Sequence, residues 1–255
     1  MAASKHNSVN LHETPIFEFL SPLVAALLKK RYRRRAPEGD QKSLTRADKY
    51  LIECFDASGQ LLTACDQLEY ALVYLSGYQK RRTPGGVLIS RADHITYELE
   101  NFIIRLGMIE DRALKLVNAA FQLGIPPKEC RRTTVAENAH IAGTPIRARL
   151  KAIEKTISPH RPERNRVVHQ ATYSDEELRT WGMFAELQKS AVESDQFIST
   201  WRHFYKAKAD NYVKSKRQDL STTMSVVFET VAQLLQSLLP IVQRTYRTFS
   251  EPSKL

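Results

Sequence analysis

An arginine, an amide and a histidine stand close together at Arg164, Asn165 and His169, inside the string Arg161-Pro162-Glu163-Arg164-Asn165-Arg166-Val167-Val168-His169. Proline near the head of such a string suits the first turn of a helix, where its missing N–H costs nothing. With Pro162 at the first helical position, Asn165 and His169 are four apart and share a face. Arg164 lies five residues before His169, about 140° round an ideal helix. It meets the imidazole only by swinging back from the first turn. The helix start would add free N–H donors and a partial positive charge. A cation, donors and a group that titrates near neutral pH suit a phosphate ester. They are also the parts of metal-independent RNA cleavage. Histidine takes the proton of a 2′-hydroxyl, that oxygen attacks the adjacent phosphorus, and arginine stabilises the charge gained by the phosphoryl oxygens. DNA, lacking the 2′-OH, is spared. Arg161 and Arg166 are the expected additional phosphate contacts.

Rival chemistries find little here. The 7 histidines are scattered, with no pair at H-E-x-x-H spacing, and Cys54, Cys65 and Cys130 form no CxxC pattern. No metal and no cofactor is expected. Glycine loops for phosphates and Ser or Cys nucleophile motifs are absent too. Three cysteines with no disulfide pattern point to a reduced, cytoplasmic protein. The apolar stretch Ile16 to Leu28 has 13 residues and contains Glu18, Ser21 and Pro22. It falls short of the roughly 20 that span a bilayer. The basic run Lys29 to Arg35 follows it instead of preceding it, against a signal peptide. No membrane partner is expected. A net charge of +10 favours a polyanion, RNA above all.

The elements that must hold the string read as helices. Residues 15–35 form an amphipathic helix whose basic end suits the helix dipole; a phosphate patch or anionic-membrane contact is the rival reading. Ala36 to Asp40 is a break. Residues 44–79 are helical, with a bend or split at Ser58-Gly59, and 80–86 is a loop. Residues 91–123 follow the helical period most closely and end at Gly124-Ile125-Pro126-Pro127. Along one edge of that helix, Glu98, Asn101 and Arg105 are spaced to form a polar ladder, a candidate support for the site. Residues 134–142 make a short helix or turn, and Pro145 opens a helix to 157. After the central string, Ser174 with Glu177 matches a capping box for 175–190, with Trp181, Phe184 and Leu187 inward. Residues 195–217 carry Phe197, Trp201, Phe204, Tyr205 and Tyr212 among lysines. A core aromatic stripe is favoured there over stacking on single-stranded RNA. A last helix, 221–249, is kinked by Pro240. Gly86 to Ile89 is too short to build a sheet. The fold class is all-α, an antiparallel helical bundle with extra helices at both ends. Its expected parts are a basic extension (1–43), the bundle (44–190) and a C-terminal helical extension packed on it (195–250).

Arg164-Asn165-Arg166-Val167-Val168-His169 resembles the R-x4-6-H signature of HEPN domains, in which a polar residue commonly follows the arginine. No other histidine in the chain completes that pattern. The resemblance implies an all-α bundle and a metal-independent endoribonuclease of toxin–antitoxin, antiviral or RNA-processing type. Arg164 and His169 would be catalytic, with Asn165 supporting them. Two copies of the motif would meet across a homodimer, and a protein inhibitor is a further expected partner. Some HEPN subfamilies add a Glu or Arg from an earlier helix, for which Glu98 and Arg105 are the candidates. The alternative is a catalytically silent RNA- or nucleotide-binding HEPN protein acting as antitoxin or adaptor.

Overall fold

The computed structural model describes residues 9–33, 44–190 and 196–251. The break at Ala36 to Asp40 lies outside the described residues. So do the side chains of Arg31 to Arg35, Phe184, Leu187, Phe197 and Trp201. The helices are α1 (Pro15–Arg33), α2 (Arg46–Leu75), α3 (Arg91–Phe121), α4 (Arg132–Val135), α5 (Ala139–Ala142), α6 (Pro145–Ile157), α7 (Arg161–His169), α8 (Glu176–Ser190) and α9 (Gln196–Ser250). Among the described residues there is no strand, only a bridge between Arg82 and Leu88 in the α2–α3 turn. The fold is an all-α antiparallel helical bundle, as the periodicity predicts.

The chain gathers into two units. One takes Met1–Cys65, Met108–Ser158 and Ser225–Leu255; the other takes Asp66–Gly107 and Pro159–Met224. In the first, α2 and α3 run antiparallel: the Tyr50 hydroxyl near the start of α2 donates to the Ala120 carbonyl near the end of α3 at 2.9 Å. Arg112 similarly reaches Gln60 at 2.6 Å. Aliphatic stripes at helical spacing close the core, with Ile146 and Ile153 of α6 and Val227, Val231, Leu234 and Leu238 of α9 all at 0% exposure. Each such side chain contributes about 1.5–3 kcal/mol of transfer free energy. The three cysteines are buried free thiols, and burial pushes Cys54 up to about 12.

Several helix boundaries differ from the pattern reading. Ser58-Gly59 does not split α2, and the Ser58 hydroxyl bonds the Cys54 carbonyl at 2.6 Å within the continuous helix. The two helices expected at 195–217 and 221–249 are one, α9, which starts at Gln196 and runs on through Pro240. By length and composition part of α9, within His203–Ser250, could cross a membrane. Its apolar stripe from Val227 to Val242 is buried in the first unit, as the stripe of a core helix is. α3 ends with positive φ at Gln122 (50°) as well as at Gly124 (68°). The Asn118 side chain holds that turn, bonding both the N–H and the carbonyl of Ile125.

The second unit is built round Leu75 of α2, Ile95, Leu99 and Ile103 of α3, Trp181 of α8, and Tyr212 and Val213 of α9. Trp181 meets Tyr212 edge to face at 4.8 Å. Reciprocal bonds between Ser90 and Asp93 cap the start of α3. The His94 ring bonds the Tyr74 carbonyl at 2.8 Å, tying that start to the end of α2.

Candidate functional site

α7 carries the central string, and it begins one residue earlier than expected. Arg161 is its first residue and Pro162 its second, after His160 in the right-handed helical region (φ −92°, ψ −7°). The 3-10 turn Ser158–His160 hands the backbone on in a nearly helical state, so no extended cap residue opens the helix. Pro162 offers no N–H at the second position, and Glu163 places a carboxylate in the first turn. Pro162 thus removes one of the N–H donors expected at this helix start, and the Glu163 carboxylate stands beside the rest.

Arg164 is half-buried and lies along α3. A Cβ built on Gly107 would stand 3.2 Å from its Nε and 3.4 Å from its Cδ. The buried Nε has no hydrogen-bond acceptor among the described residues. The other end of the guanidinium turns outward, where Nη1 donates to Asn165 Oδ1 at 3.1 Å. Asn165 and His169 are both exposed. On the helical period they stand about 100° and 140° round α7 from Arg164, on one side. Arg164 is thus rooted against α3 and directed toward the side that His169 occupies. Its described bond goes to Asn165 and not to the imidazole. Arg166 pairs with Glu163 at 3.3 Å, which offsets part of its charge. Arg161 is half-buried.

The C-terminal end of α7 is fastened by residues that the sequence reading passed over. Val167 packs against the core of the second unit. The Tyr173 N–H donates to Glu100 Oε1 on α3 at 2.6 Å. Asp175 Oδ1 accepts the Leu178 N–H at 3.0 Å, so Asp175 rather than Ser174 caps α8. Its other oxygen accepts the Tyr212 hydroxyl at 2.6 Å and pairs with Lys216 at 3.3 Å. Lys216 also donates to the Tyr173 hydroxyl at 3.2 Å. Burial alone would raise the Asp175 carboxyl. The Leu178 N–H, the Tyr212 hydroxyl and the Lys216 ammonium outweigh that and hold it below the usual range. Burial and the Asp175 bond push the Tyr212 hydroxyl up. Lys216 is raised as well, its bonds to Tyr173 and Asp175 overcoming burial. One signal for this network was present in the sequence, an Asp directly before a helix.

The ladder on α3 forms, with Arg105 Nε donating to Asn101 Oδ1 at 3.1 Å. Glu98 is 7% exposed, and burial pushes its carboxyl up, against the opposing influence of His94 and a bond to Asn101. Glu98 and Arg105 precede Gly107 by nine and two residues. The helical period therefore sets them roughly 180° round α3 from the point where Arg164 lies. Within one chain they do not share Arg164's face of α3, and Asn101 is about 120° away. The aromatic stripe of α9 divides in two. Tyr205 and Tyr212 turn to the core, whereas Phe204 is 51% exposed with Lys208 Nζ 5.6 Å from its ring centre. Lys206, Lys208, Lys214 and Arg217 are all exposed on the same helix.

A profile of the Cthe2314-like HEPN family matches residues 63–239, more than half of the chain. That span contains α3, α7, α8 and most of α9. No curated protein and no solved structure matches.

Proposed function

The chain belongs to the HEPN family, and from that premise we propose that it is a metal-independent endoribonuclease acting as a homodimer in the cytoplasm. The observation that carries the proposal is the Arg164 guanidinium, anchored along α3 and held by Asn165 on the side of α7 that presents His169. His169 takes the proton from a 2′-hydroxyl. The oxygen attacks the neighbouring phosphorus while the bond to the 5′-oxygen breaks, and that oxygen is protonated as it leaves. The products are a 2′,3′-cyclic phosphate and a 5′-hydroxyl. Arg164 stabilises the charge gained by the phosphoryl oxygens, and Asn165 holds the guanidinium in direction. Arg161 and Arg166 hold flanking phosphates.

We infer a homodimer because the Arg164 guanidinium bonds Asn165 and not the His169 imidazole within one chain. The two residues are rooted about 140° apart on α7, and two copies of α7 facing across a two-fold axis would supply a guanidinium and an imidazole to one phosphate. A toxin or defence enzyme held by a protein inhibitor is the cellular role we infer.

The test is RNA cleavage in EDTA with end-group analysis. The expected result is cyclic-phosphate ends. Loss should be about 10²–10⁴-fold in His169→Ala and about 10²–10³-fold in Arg164→Ala. Undiminished cleavage by a folded His169→Ala protein would overturn the assignment. A second reading, a silent RNA-binding protein acting as antitoxin or adaptor, draws on the exposed Phe204–Lys208 pair among the lysines of α9. It predicts salt-sensitive RNA binding without turnover.

A further inference from the structure

Gly107 is the lone glycine in the 31 residues of α3. A helix-interior glycine is disfavoured relative to alanine because it gives up more backbone freedom on folding. The backbone does not ask for it: among the described glycines positive φ occurs at Gly86 and Gly124, not at Gly107. What distinguishes Gly107 is the space beside it. A Cβ there would meet Nε, Cδ and Cγ of Arg164 at 3.2, 3.4 and 3.5 Å. Gly59, also inside a long helix, has nothing within 4 Å of the same point.

We propose that Gly107 is the positioning residue for Arg164, a bare stretch of α3 along which the side chain lies so that its guanidinium emerges at Asn165. This rests on the reading of Arg164 as the phosphoryl-stabilising group. With Cγ, Cδ and Nε laid against α3, only the tip of the side chain keeps freedom, and Asn165 removes part of that. A methyl at 107 moves Nε by a few tenths of an ångström, and a larger side chain displaces it. Errors of about 1 Å in a charge-stabilising group cost on the order of 10²-fold in rate.

The experiment is a double-mutant cycle read in both kinetics and thermal unfolding. Gly107→Ala should lower kcat about tenfold and Gly107→Leu about as much as Arg164→Ala, 10²–10³-fold. KM should move less than about threefold, because the lost interaction belongs to the transition state. In an Arg164→Ala background neither substitution should lower kcat further. Gly107→Ala should raise the unfolding midpoint there by about 2–4 °C, the ordinary gain of alanine over glycine in a helix. With Arg164 present the gain should be smaller. Gly59→Ala is the control, with the full midpoint gain and unchanged kcat. Equal effects of Gly107→Ala in both backgrounds overturn the proposal. A chain that cleaves no RNA but shows the coupling in unfolding upholds the packing role and overturns the catalytic reading instead.

Discussion

The cores of the two units are made differently. In the first, aliphatic stripes of α6 and α9 reach 0% exposure, and the polar groups among them are few, such as the Tyr50 hydroxyl and Ser58. In the second, the core around Trp181 and Tyr212 is edged by a connected polar set: Asp175, Lys216, Tyr212, Tyr173 and Glu100. Aliphatic packing is strong but indifferent to direction. Hydrogen bonds contribute about 1 kcal/mol each, yet they fix angles. The second unit holds α7, a nine-residue helix with no fully buried residue of its own. A helix that short cannot position a guanidinium and an imidazole by burial alone, and its following segment is pinned by polar bonds instead.

The largest expected effect breaks the first kind of core. Leu234→Ala removes a side chain at 0% exposure and should cost about 2–5 kcal/mol, seen as a lower midpoint in urea. The second kind is tested by Asp175→Asn. Asparagine keeps the cap on α8 but gives up the charge facing Lys216 and accepts less well from Tyr212. We expect a loss of about 1–3 kcal/mol at neutral pH, with RNA cleavage falling alongside as the segment after His169 loosens. The folded carboxyl titrates below its unfolded value near 3.9, so this stability is present above about pH 4. It is lost as pH falls through the folded pKa, and the gap between wild type and variant should close there. A gap of constant size down to pH 2 would show that Asp175 is not paired as described. His169→Ala separates stability from chemistry. The imidazole is exposed, so unfolding should move by no more than about 0.5 kcal/mol while cleavage falls about 10²–10⁴-fold.

How far this contrast could be read from the chain depends on the range of the forces involved. The apolar stripes are local periodicities, so the main helices and the all-α class were legible, as was the pairing of Asn165 and His169 on one face. The pattern divides α9 because Lys214 to Thr223 is polar apart from Leu220 and blurs the stripe. That stretch contains no glycine or proline, so nothing in it stops a helix. The pattern puts Pro162 at the first helical position because a proline before a charged run looks like a start. The 3-10 turn before it is a property of the Ser158–His160 backbone that side-chain patterns do not record. Nothing beside Gly107 in the sequence marks its role, since its partner Arg164 is remote along the chain. Glu100, Tyr173 and Lys216 were missed for the same reason: each takes its role from a residue on another element. Glu98 and Arg105 sat at the correct spacing for a ladder, but spacing along α3 does not say which of its sides faces α7.

Glu98 supplies the smallest effect and the opposite sign to Asp175. Its carboxyl is buried, and its Oε2 has no hydrogen-bond partner among the described residues. Burial raises its folded pKa above the unfolded value near 4.3. Between those two values the folded chain binds a proton that the unfolded chain does not, so stability falls as pH rises through the window and stays reduced above it. Glu98→Gln keeps a bond to Asn101 and removes the charge. The variant should be more stable than wild type at neutral pH by up to about 1 kcal/mol, and the advantage should vanish as pH drops toward 4. Urea unfolding at pH 7.5 and pH 4 measures it. A variant less stable than wild type at pH 7.5 would mean that the charged form of Glu98 has a cation beside it, and that the ladder is an ion-pair network rather than a desolvated carboxyl at the edge of the core.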